Sequence, residues 1–503
     1  MSILPLLMGP DRKVLDLDSH TESLVEQRIR KLQELRDRGI NPYPYSFDRT
    51  HLAAEVLASF DAIQGAEVRL AGRLLTVRLM GKAAFAHIQD GSGRIQIYVR
   101  RDRVGDEQYE LFKALDLGDF VGVSGKPFRT KTGEITIEVE SLSLLSKSLR
   151  GLPEKWHGLT DVEKRYRQRY LDLISNEEVR QVFVTRSRTI DAIRRYLVDH
   201  GFLEVETPIL QPIHGGAAAK PFATHHNALD RDLYLRIALE LYLKRCVIGG
   251  IEKVFEIGRN FRNEGISTRH NPEFTMLELY QAYTDYSGIM TILEDMVPTV
   301  ARQVLGTTTI EYSGYTIRLD APWPRIPLRD AIRNESGIDY EEYPTAEALY
   351  EVVRGAGVHV EPNSTRAKLI DSLLSSFVEP KLIQPTFLID YPVEMSPLAK
   401  RKRDDFELVE RFEAFIGGME IGNAFSELND PLDQRERFEQ QLAERAAGDE
   451  EAQPMDEDFL IALEHGMPPT GGLGVGIDRL VMLFTGNNSI REVILFPQLR
   501  TKD

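Results

Sequence analysis

Cysteine and long apolar runs are nearly missing from this sequence. The only cysteine among the 503 residues is Cys246, which excludes an internal disulfide and a cysteine-rich zinc site. We interpret Cys246 as a buried structural thiol. No uninterrupted apolar stretch approaches the roughly 20 residues that a membrane-spanning helix needs, and the short apolar segment at residues 2–8 lacks the basic start of a signal peptide. We therefore expect a cytoplasmic protein with no membrane partner.

Basic residues are outnumbered by acidic residues, and the formal net charge is -16 at pH 7. Such a charge argues against indiscriminate nucleic-acid binding. Between Val68 and Arg150, however, 14 Lys and Arg stand against 10 Asp and Glu. A mildly basic domain in an acidic protein fits a selective nucleic-acid partner, although a chance fluctuation in charge would explain the same count.

The periodicity of apolar residues divides the chain into parts. Residues 1–20 show no periodicity and are predicted to be a flexible N-terminus. A capping-box pattern at Ser23 then predicts the start of a helix. Five short strands with one helical stretch after the third match an OB-fold barrel at about residues 66–148. We predict that residues 21–150 form one domain, a helix plus this barrel.

The remaining residues, 151–503, mix amphipathic helices with strands that do not alternate regularly. This pattern predicts an α+β domain on an antiparallel sheet rather than a doubly wound sheet. The glycine-rich run at residues 471–476 could indicate a dinucleotide site, but its spacing is not GxGxxG and no βαβ unit precedes it. We interpret these glycines as positions where a helix packs tightly, with Arg479 reaching a phosphate.

A strand-loop-strand pattern at residues 254–280 carries the clearest chemistry. Its loop holds Arg262, Arg269 and His270. Fixed cations of this kind hold a polyphosphate and stabilise charge at a transferring phosphorus. We therefore predict a nucleotide site at this loop.

Three segments together resemble the motifs of class II aminoacyl-tRNA synthetases. GFLEVETP at residues 201–208 resembles motif 1, the dimer-forming segment, the strand-loop-strand carrying FRNE resembles motif 2, and GLGVGIDRL at residues 472–480 resembles motif 3. An N-terminal barrel is similar to the aspartate, asparagine and lysine subgroup. HGGAAAKPF at residues 214–222 and IGNAFSELND at residues 421–430 resemble the bacterial lysine enzymes. The resemblance covers nearly the whole chain from about Ser19.

The resemblance implies a fold, a reaction and partners. It implies a class II catalytic domain on an antiparallel sheet flanked by helices, behind an anticodon-binding OB-fold barrel. The implied activity is ATP-dependent ligation of L-lysine to tRNA(Lys) through a lysyl-adenylate, with release of AMP and diphosphate. Magnesium is the implied cofactor, and a homodimer is the implied assembly.

The resemblance also assigns roles at the nucleotide end of the site. Arg262 would hold the α-phosphate and the lysine carboxylate, and Arg479 would hold the γ-phosphate, which makes both catalytic. Glu413 and Glu420 would bind magnesium, whose preference for oxygen ligands they satisfy. The predicted ATP-binding residues are Arg262, Glu264, Arg269, His270, Phe274 and Arg479.

At the amino-acid end, the resemblance assigns carboxylates to the two amino groups of lysine. Glu278 would take the α-amino group, and Glu240 and Glu427 would take the ε-ammonium. Strand geometry also puts Glu278 and Tyr280 roughly 6–7 Å apart, close to the separation of the two amino groups of an extended lysine. The predicted lysine-binding residues are Gly216 (through its carbonyl), Glu240, Glu278, Tyr280, Asn423, Phe425 and Glu427.

The barrel is predicted to read the anticodon. Strand alternation places Phe85 beside His87 and Gln96 beside Tyr98, and aromatics next to amides suit stacking on unpaired bases and reading their edges. The alternative, that Phe85 simply fills the barrel, is equally compatible with the pattern. With the residues that the resemblance adds, the predicted anticodon set is Arg78, Phe85, Gln96 and Glu134.

One departure from the family pattern lies beside the lysine site. Relatives commonly have proline before the acid of APELYLK, whereas this chain has Leu239 before Glu240. The departure leaves open the backbone geometry at Glu240. A lone glutamate on a helix or strand is usually a solvated surface charge, and this is the alternative for Glu240 and Glu413.

Other functions remain as alternatives. An aspartyl- or asparaginyl-type synthetase would need a cation facing the substrate side chain. In this sequence, the residues predicted to face that side chain include carboxylates instead. A lysine-activating paralogue that modifies another acceptor would not need the barrel. A catalytically inactive tRNA-binding or lysine-sensing protein would not need Arg262, Arg479, Glu413 and Glu420 intact.

Overall fold

The computed structural model describes residues 19–153, 159–446 and 452–500. The chain forms two compact units, Met1–Thr160 and Asp161–Asp503. The flexible N-terminus predicted for residues 1–20 lies outside the described residues except for its last two.

The first unit begins with helix α1 (Ser19–Asp37). The helix starts at Ser19, so the prediction of a start at the Ser23 capping box was wrong. Its apolar residues Leu32 and Leu35 are buried, and the chain leaves it at Gly39, whose φ of +74° suits glycine. Two short helices follow, α2 (Ala53–Ala58) and α3 (Phe60–Ile63).

The rest of the first unit is a closed five-stranded barrel with the order β1-β2-β3-β5-β4. Strand β3 pairs with β5 in parallel, and the other pairs are antiparallel. Alternate residues such as Ala86 and Ile97 fill the interior. The predicted OB fold is confirmed. Its elements are β1 (Val68–Met80), β2 (Ala83–Gln89), β3 (Arg94–Arg100), α4 (Arg101–Ala114), β4 (Phe120–Arg129) and β5 (Ile135–Ser146).

The second unit is built on an eight-stranded sheet with the order β14-β15-β16-β17-β18-β11-β10-β6. Neighbouring strands from β15 to β10 run antiparallel, and the pairs at both edges are parallel. Parallel pairs need crossover connections, which helices in the long segments between these edge strands provide. The predicted α+β class is confirmed. The strands are β6 (Leu203–Glu204), β10 (Lys253–Phe261), β11 (Glu273–Ala282), β14 (Arg325–Pro327), β15 (Thr386–Pro392), β16 (Leu408–Ile416), β17 (Met419–Ser426) and β18 (Thr470–Gly476).

Two smaller sheets and a set of helices complete this unit. The main core lies where three helices, α7 (Glu177–Asp199), α9 (Tyr286–Leu305) and α15 (Ile477–Thr485), pack on the large sheet. The small strands are β7 (Leu210–Gln211), β8 (Ala223–His226), β9 (Arg231–Leu235), β12 (Thr309–Tyr312) and β13 (Tyr315–Arg318). The helices are α5 (Val162–Arg167), α6 (Arg169–Ser175), α7 (Glu177–Asp199), α8 (Glu240–Ile248), α9 (Tyr286–Leu305), α10 (Leu328–Ser336), α11 (Ala346–Gly355), α12 (Arg366–Leu373), α13 (Pro431–Ala446), α14 (Glu457–Glu464), α15 (Ile477–Thr485) and α16 (Ile490–Val493).

Two findings concern the predictions made for Cys246 and for membrane-spanning helices. Cys246 on α8 is half-buried, so the prediction of a buried thiol was wrong. Its partial burial raises the pKa of the thiol. Among the helices in the described ranges, none is long and apolar enough to cross a membrane.

Candidate active site

One face of the large sheet borders a cavity of about 560 Å³. The middle strands β11, β17 and β18 form its floor, and the loop between β10 and β11 lies along it. The cavity brings together segments that are far apart in the sequence. All residues predicted for ATP and lysine line it, namely Gly216, Glu240, Arg262, Glu264, Arg269, His270, Phe274, Glu278, Tyr280, Asn423, Phe425, Glu427 and Arg479.

Cations gather at one end of the cavity. The guanidinium of Arg262, just after β10, lies 5.1 Å from the ring centroid of Phe274. Arg479, in the first turn of α15, donates hydrogen bonds to the carbonyl (2.7 Å) and the carboxylate (3.0 Å) of Glu420. Burial, together with Arg479, Arg262 and Arg269, lowers the pKa of His270 below its ordinary value, which favours the neutral imidazole. The end therefore attracts anions through its guanidinium groups.

Carboxylates gather at the other end. Glu240, Glu278 and Glu427 are all buried. Glu278 accepts hydrogen bonds from the Leu239 backbone N–H (2.9 Å) and the Tyr280 hydroxyl (3.1 Å). Burial, with the nearby Glu240, raises the pKa of Glu278 to about 7. Burial also raises the pKa of Glu427 well above its ordinary value, because nearby positive charge only partly offsets the loss of water.

Two residues that contact these side chains were not predicted from the sequence. The ammonium of Lys244 donates a hydrogen bond to Glu240 (2.5 Å) and contacts Glu427 as an ion pair. Arg411 donates to the side-chain oxygen of Asn423 (3.1 Å), which leaves the amide NH₂ of Asn423 available to the cavity. The sequence signals for Lys244 are its i,i+4 spacing from Glu240 on a helix, which surface pairs share, and the lysine that ends the family pattern APELYLK.

The two residues predicted to bind magnesium lie in different surroundings. Glu420 lines the cavity, whereas Glu413 lies behind its wall. The Glu413 carboxylate accepts hydrogen bonds from the Tyr391 hydroxyl (2.8 Å) and from Arg411 (2.5 Å). Burial is the main cause that raises the pKa of Glu413 to about 7, and Glu420 adds to it.

Two further acidic groups belong to the same neighbourhood. The pKa of Glu379 is raised to about 7 by burial and by repulsion from Glu420 and Asp371. Burial, with a contribution from Glu420, raises the pKa of Asp371. Within the described ranges, no three His, Cys, Asp or Glu side chains converge tightly enough to form a ready-made metal cage. The region is therefore a loose group of carboxylates with excess negative charge.

The glycine-rich run forms strand β18 and makes room for the pocket. A Cβ at Gly472 would overlap the Glu427 carboxylate and the Tyr280 ring. At Gly471 a Cβ would strike Ile289 of α9, so tight helix packing, the predicted role, applies there. At Gly472 that interpretation was wrong, because side chains that line the cavity take the space.

The structure contradicts the spacing predicted for the Glu278 and Tyr280 side chains. The two side chains converge from the strand, and their polar atoms lie 3.1 Å apart. The separation of roughly 6–7 Å expected from the strand repeat describes the backbone positions. The prediction that this spacing equals the separation of the two amino groups of lysine was therefore wrong.

In the first unit, the four residues predicted for the anticodon lie on or beside the barrel's outer surface. Phe85 is half-buried and stacks on Tyr98 with the ring centroids 4.4 Å apart, so it does not fill the interior. Gln96 donates a hydrogen bond to Glu134 (2.8 Å). Arg78 is exposed and lies opposite Phe85 in the register of strands β1 and β2.

Comparison with known protein families agrees with this geometry. Residues 161–500 match the family model of the class II tRNA synthetases (D, K and N). The chain is a class II tRNA synthetase. Residues 68–145 match the OB-fold nucleic acid binding domain. The resemblance proposed from the three motifs is confirmed.

Close relatives of this synthetase match it over nearly its full length. A lysine–tRNA ligase of Moorella thermoacetica is 61% identical over 480 residues, which cover 95% of this chain and 98% of the relative. One of Pelotomaculum thermopropionicum is 60% identical over 482 residues, 95% of each chain. One of Bacillus subtilis is 55% identical over 493 residues, 96% of this chain and 99% of the relative.

Proposed function

We propose that this class II tRNA synthetase ligates L-lysine to tRNA(Lys) with ATP. One observation carries the proposal: three buried carboxylates, Glu240, Glu278 and Glu427, line one end of the cavity, and among the described residues their ion pairs come from the single ammonium of Lys244, which contacts Glu240 and Glu427. Buried carboxylates in excess of their counter-charges need a further cation. The lysine–tRNA ligases that are 55% to 61% identical support the same substrate.

The first step joins lysine to the nucleotide. The lysine carboxylate attacks the α-phosphorus of ATP, a new O–P bond forms, and the bond to diphosphate breaks. Arg262 would hold the α-phosphate and the attacking carboxylate, Arg479 would hold the γ-phosphate, and Phe274 would stack on adenine, with Glu264, Arg269 and His270 along the nucleotide. Catalysis would come from positioning and electrostatic stabilisation, since no protein nucleophile is needed.

The second step transfers the lysyl group. A hydroxyl of the 3′-terminal adenosine of the tRNA attacks the carbonyl of lysyl-adenylate, and AMP leaves with the electrons of the broken C–O bond. Glu278 and the Gly216 carbonyl would hold the α-ammonium throughout. Asn423, oriented by Arg411, would hold the carboxylate group.

The carboxylates at the far end would select the lysine side chain. Glu240, Glu427 and Tyr280 would take the ε-ammonium, and Phe425 would flank the alkyl chain. An uncharged amino acid would leave these carboxylates buried without a counter-charge. An aspartyl- or asparaginyl-type function has no support here, because the net charge at this end is negative.

Glu413 and Glu420 would hold magnesium. Carboxylate oxygens are the donors that this cation prefers. Besides burial, repulsion from Glu420 and Asp371 raises the pKa of Glu413, and a bound divalent cation would relieve that repulsion. The residues therefore fit the ion, with Glu379 and Asp371 adding charge around them. When bound, magnesium would screen the phosphate oxygens of ATP.

The barrel would supply recognition of tRNA(Lys). Phe85 would stack on an anticodon base, and Gln96, Glu134 and Arg78 would contact base edges and backbone. We assign anticodon binding to residues 21–150 and catalysis to residues 151–503. We also assign the protein to the cytoplasm as a homodimer that forms through residues 201–208.

An exchange assay tests the proposed function. The purified protein is incubated with ATP, labelled diphosphate, magnesium and each amino acid in turn. Exchange that depends on lysine alone is expected. Exchange with aspartate or asparagine, or none with any amino acid, would overturn the proposal. Charging of tRNA(Lys) then distinguishes it from a paralogue that uses another acceptor.

A further inference from the structure

A buried lysine of the protein itself stands among the carboxylates that are proposed to bind substrate lysine. The side chain of Lys244, on α8, is 0% exposed. Its ammonium lies between Glu240 and Glu427, within 6 Å of the ring centroids of Phe425 and Phe459. Burial lowers the pKa of Lys244, but the two carboxylates outweigh burial and raise it above the ordinary value. The ammonium is therefore charged at every pH at which the enzyme would work.

The groups facing Lys244 set the charge of this end of the cavity. Glu240 comes from α8, Glu427 follows β17, and Glu278 and Tyr280 come from β11. The pKa of Tyr280 lies well above its ordinary value, mainly through burial, so its hydroxyl is neutral.

The remaining nearby cations do not belong to this set. Arg262, just after β10, lowers the pKa of Glu278 from the cationic end of the cavity. Arg411, on β16, also lowers the pKa of Glu240 at longer range, but its own hydrogen bonds go to Asn423 and Glu413 and to the Met395 region. Three carboxylates and one ammonium leave two negative charges when all are ionised. Lysine brings two ammonium groups.

We propose that Lys244 is a positioning residue for lysine specificity: it fixes the charge of the pocket at the value that two ammonium groups neutralise. This inference rests on the proposed function. Lys244 does not touch the reacting atoms. Its charge lowers the pKa values of Glu240 and Glu427, which burial raises, and its position between the two carboxylates sets their separation, so that a second ammonium completes the cluster. Buried charges are tolerated only when they are balanced in this way.

Removing the ammonium would leave three mutually repelling carboxylates. Such carboxylates take up protons, because repulsion and burial both favour the neutral form. Lysine would then have to displace a proton in order to find an ionised partner for its ε-ammonium. Binding would weaken at neutral pH and recover as the pH rises.

The first test is Lys244→Met, which keeps the chain length and removes the charge. Lysine-dependent ATP–diphosphate exchange is measured from pH 6.5 to pH 9. We expect the lysine KM at pH 7 to rise by roughly 30-fold or more, with the ATP KM changed less than about threefold. The pH above which the lysine KM becomes constant should move up by about one unit or more.

A charge-rescue variant separates charge balance from packing. Lys244→Met combined with Glu240→Gln removes one carboxylate together with the ammonium, so two negative charges remain. We expect its lysine KM at pH 7 to be at least about fivefold below that of Lys244→Met alone, with the pH profile shifted back. A packing role predicts a double variant that is no better than the single one. If Lys244→Met does not fold, the double variant should fold and bind lysine.

Lys147→Met is a matched control. Lys147 is also a buried lysine, with its side chain 0% exposed and its ammonium paired with Asp116 (2.7 Å) and Asp119 (3.0 Å) in the first unit. We expect this variant to be less stable but to keep its lysine KM in exchange without tRNA. An unchanged KM and pH profile in Lys244→Met, or no rescue in the double variant, would overturn the inference. A wild-type protein without lysine-dependent exchange would overturn the proposed function instead.

Discussion

At the scale of single residues, Leu239 shows how one backbone group tunes the pocket. Its N–H donates a 2.9 Å hydrogen bond to Glu278, a donor that the proline common in relatives cannot supply. This bond stabilises the ionised carboxylate and lowers its pKa, while burial and Glu240 hold the pKa at about 7. The departure from the family pattern therefore acts on the residue proposed to hold the α-ammonium of lysine.

A pH profile tests this role of Leu239. Only ionised Glu278 pairs with an ammonium, so the lysine KM should rise as the pH falls below about 7. Leu239→Pro removes the donor, raises the pKa of Glu278, and should move this rise to higher pH. Leu239→Ala keeps the N–H and loses the same buried side chain. Identical pH profiles for the two variants would refute the role of the N–H.

The sequence predicted the residues that line the cavity better than it predicted the side chains that contact them. The resemblance predicted that Glu278 and Glu427 lie in one site, because both belong to segments that match the family's motifs. It missed Lys244 and Arg411, since their roles depend on side chains from other strands and helices that only the folded sheet brings close. The same limit explains the wrong spacing for Glu278 and Tyr280, where χ angles rather than the strand repeat set the distance.

At the scale of elements, periodicity was sufficient to predict the barrel. The strands alternate between an apolar inner face and a mixed outer face, and this alternation was enough to predict the OB fold. It did not decide whether Phe85 fills the interior, and the structure shows that Phe85 stacks on Tyr98 at the outer surface. The glycine run at residues 471–476 was harder to interpret. A glycine in a sequence indicates only that a neighbouring group packs closely against the backbone. The structure shows that the neighbours differ between Gly471 and Gly472.

Phe85→Ala tests the barrel surface. Loss of one base stack should weaken tRNA aminoacylation by roughly 1–3 kcal/mol, seen as a lower kcat/KM for tRNA(Lys). Lysine-dependent exchange without tRNA should hardly change. Tyr45→Ala, at a fully exposed aromatic of the same unit, should change neither activity. A parallel fall in exchange and aminoacylation for Phe85→Ala would make Phe85 a folding residue.

At the scale of the whole molecule, the surface near motif 1 carries apolar side chains that face solvent in the single chain. Leu203, Ile209 and Leu210 are 45% to 53% exposed. An apolar group of this kind on a protein surface often marks an interface. A symmetric homodimer would bury it, as the resemblance implies for residues 201–208.

Sedimentation velocity at low micromolar concentration tests the assembly. We expect a species of twice the chain mass of 57.2 kDa. Leu210→Glu should shift the protein towards monomers and reduce lysine-dependent exchange together, because a buried charge opposes association. A monomeric wild-type protein with full activity would contradict the dimer.

The most direct test of the central claim is the lysine KM of Glu427→Gln. The variant keeps size and shape and removes the charge that is proposed to hold the ε-ammonium. We expect kcat/KM for lysine to fall by roughly 100-fold or more, about 3 kcal/mol, mainly through KM, with little change in the ATP KM. Glu410→Gln, at a buried glutamate that does not line the cavity, should leave the lysine KM unchanged. An unchanged lysine KM in Glu427→Gln would contradict the account of how this enzyme selects lysine.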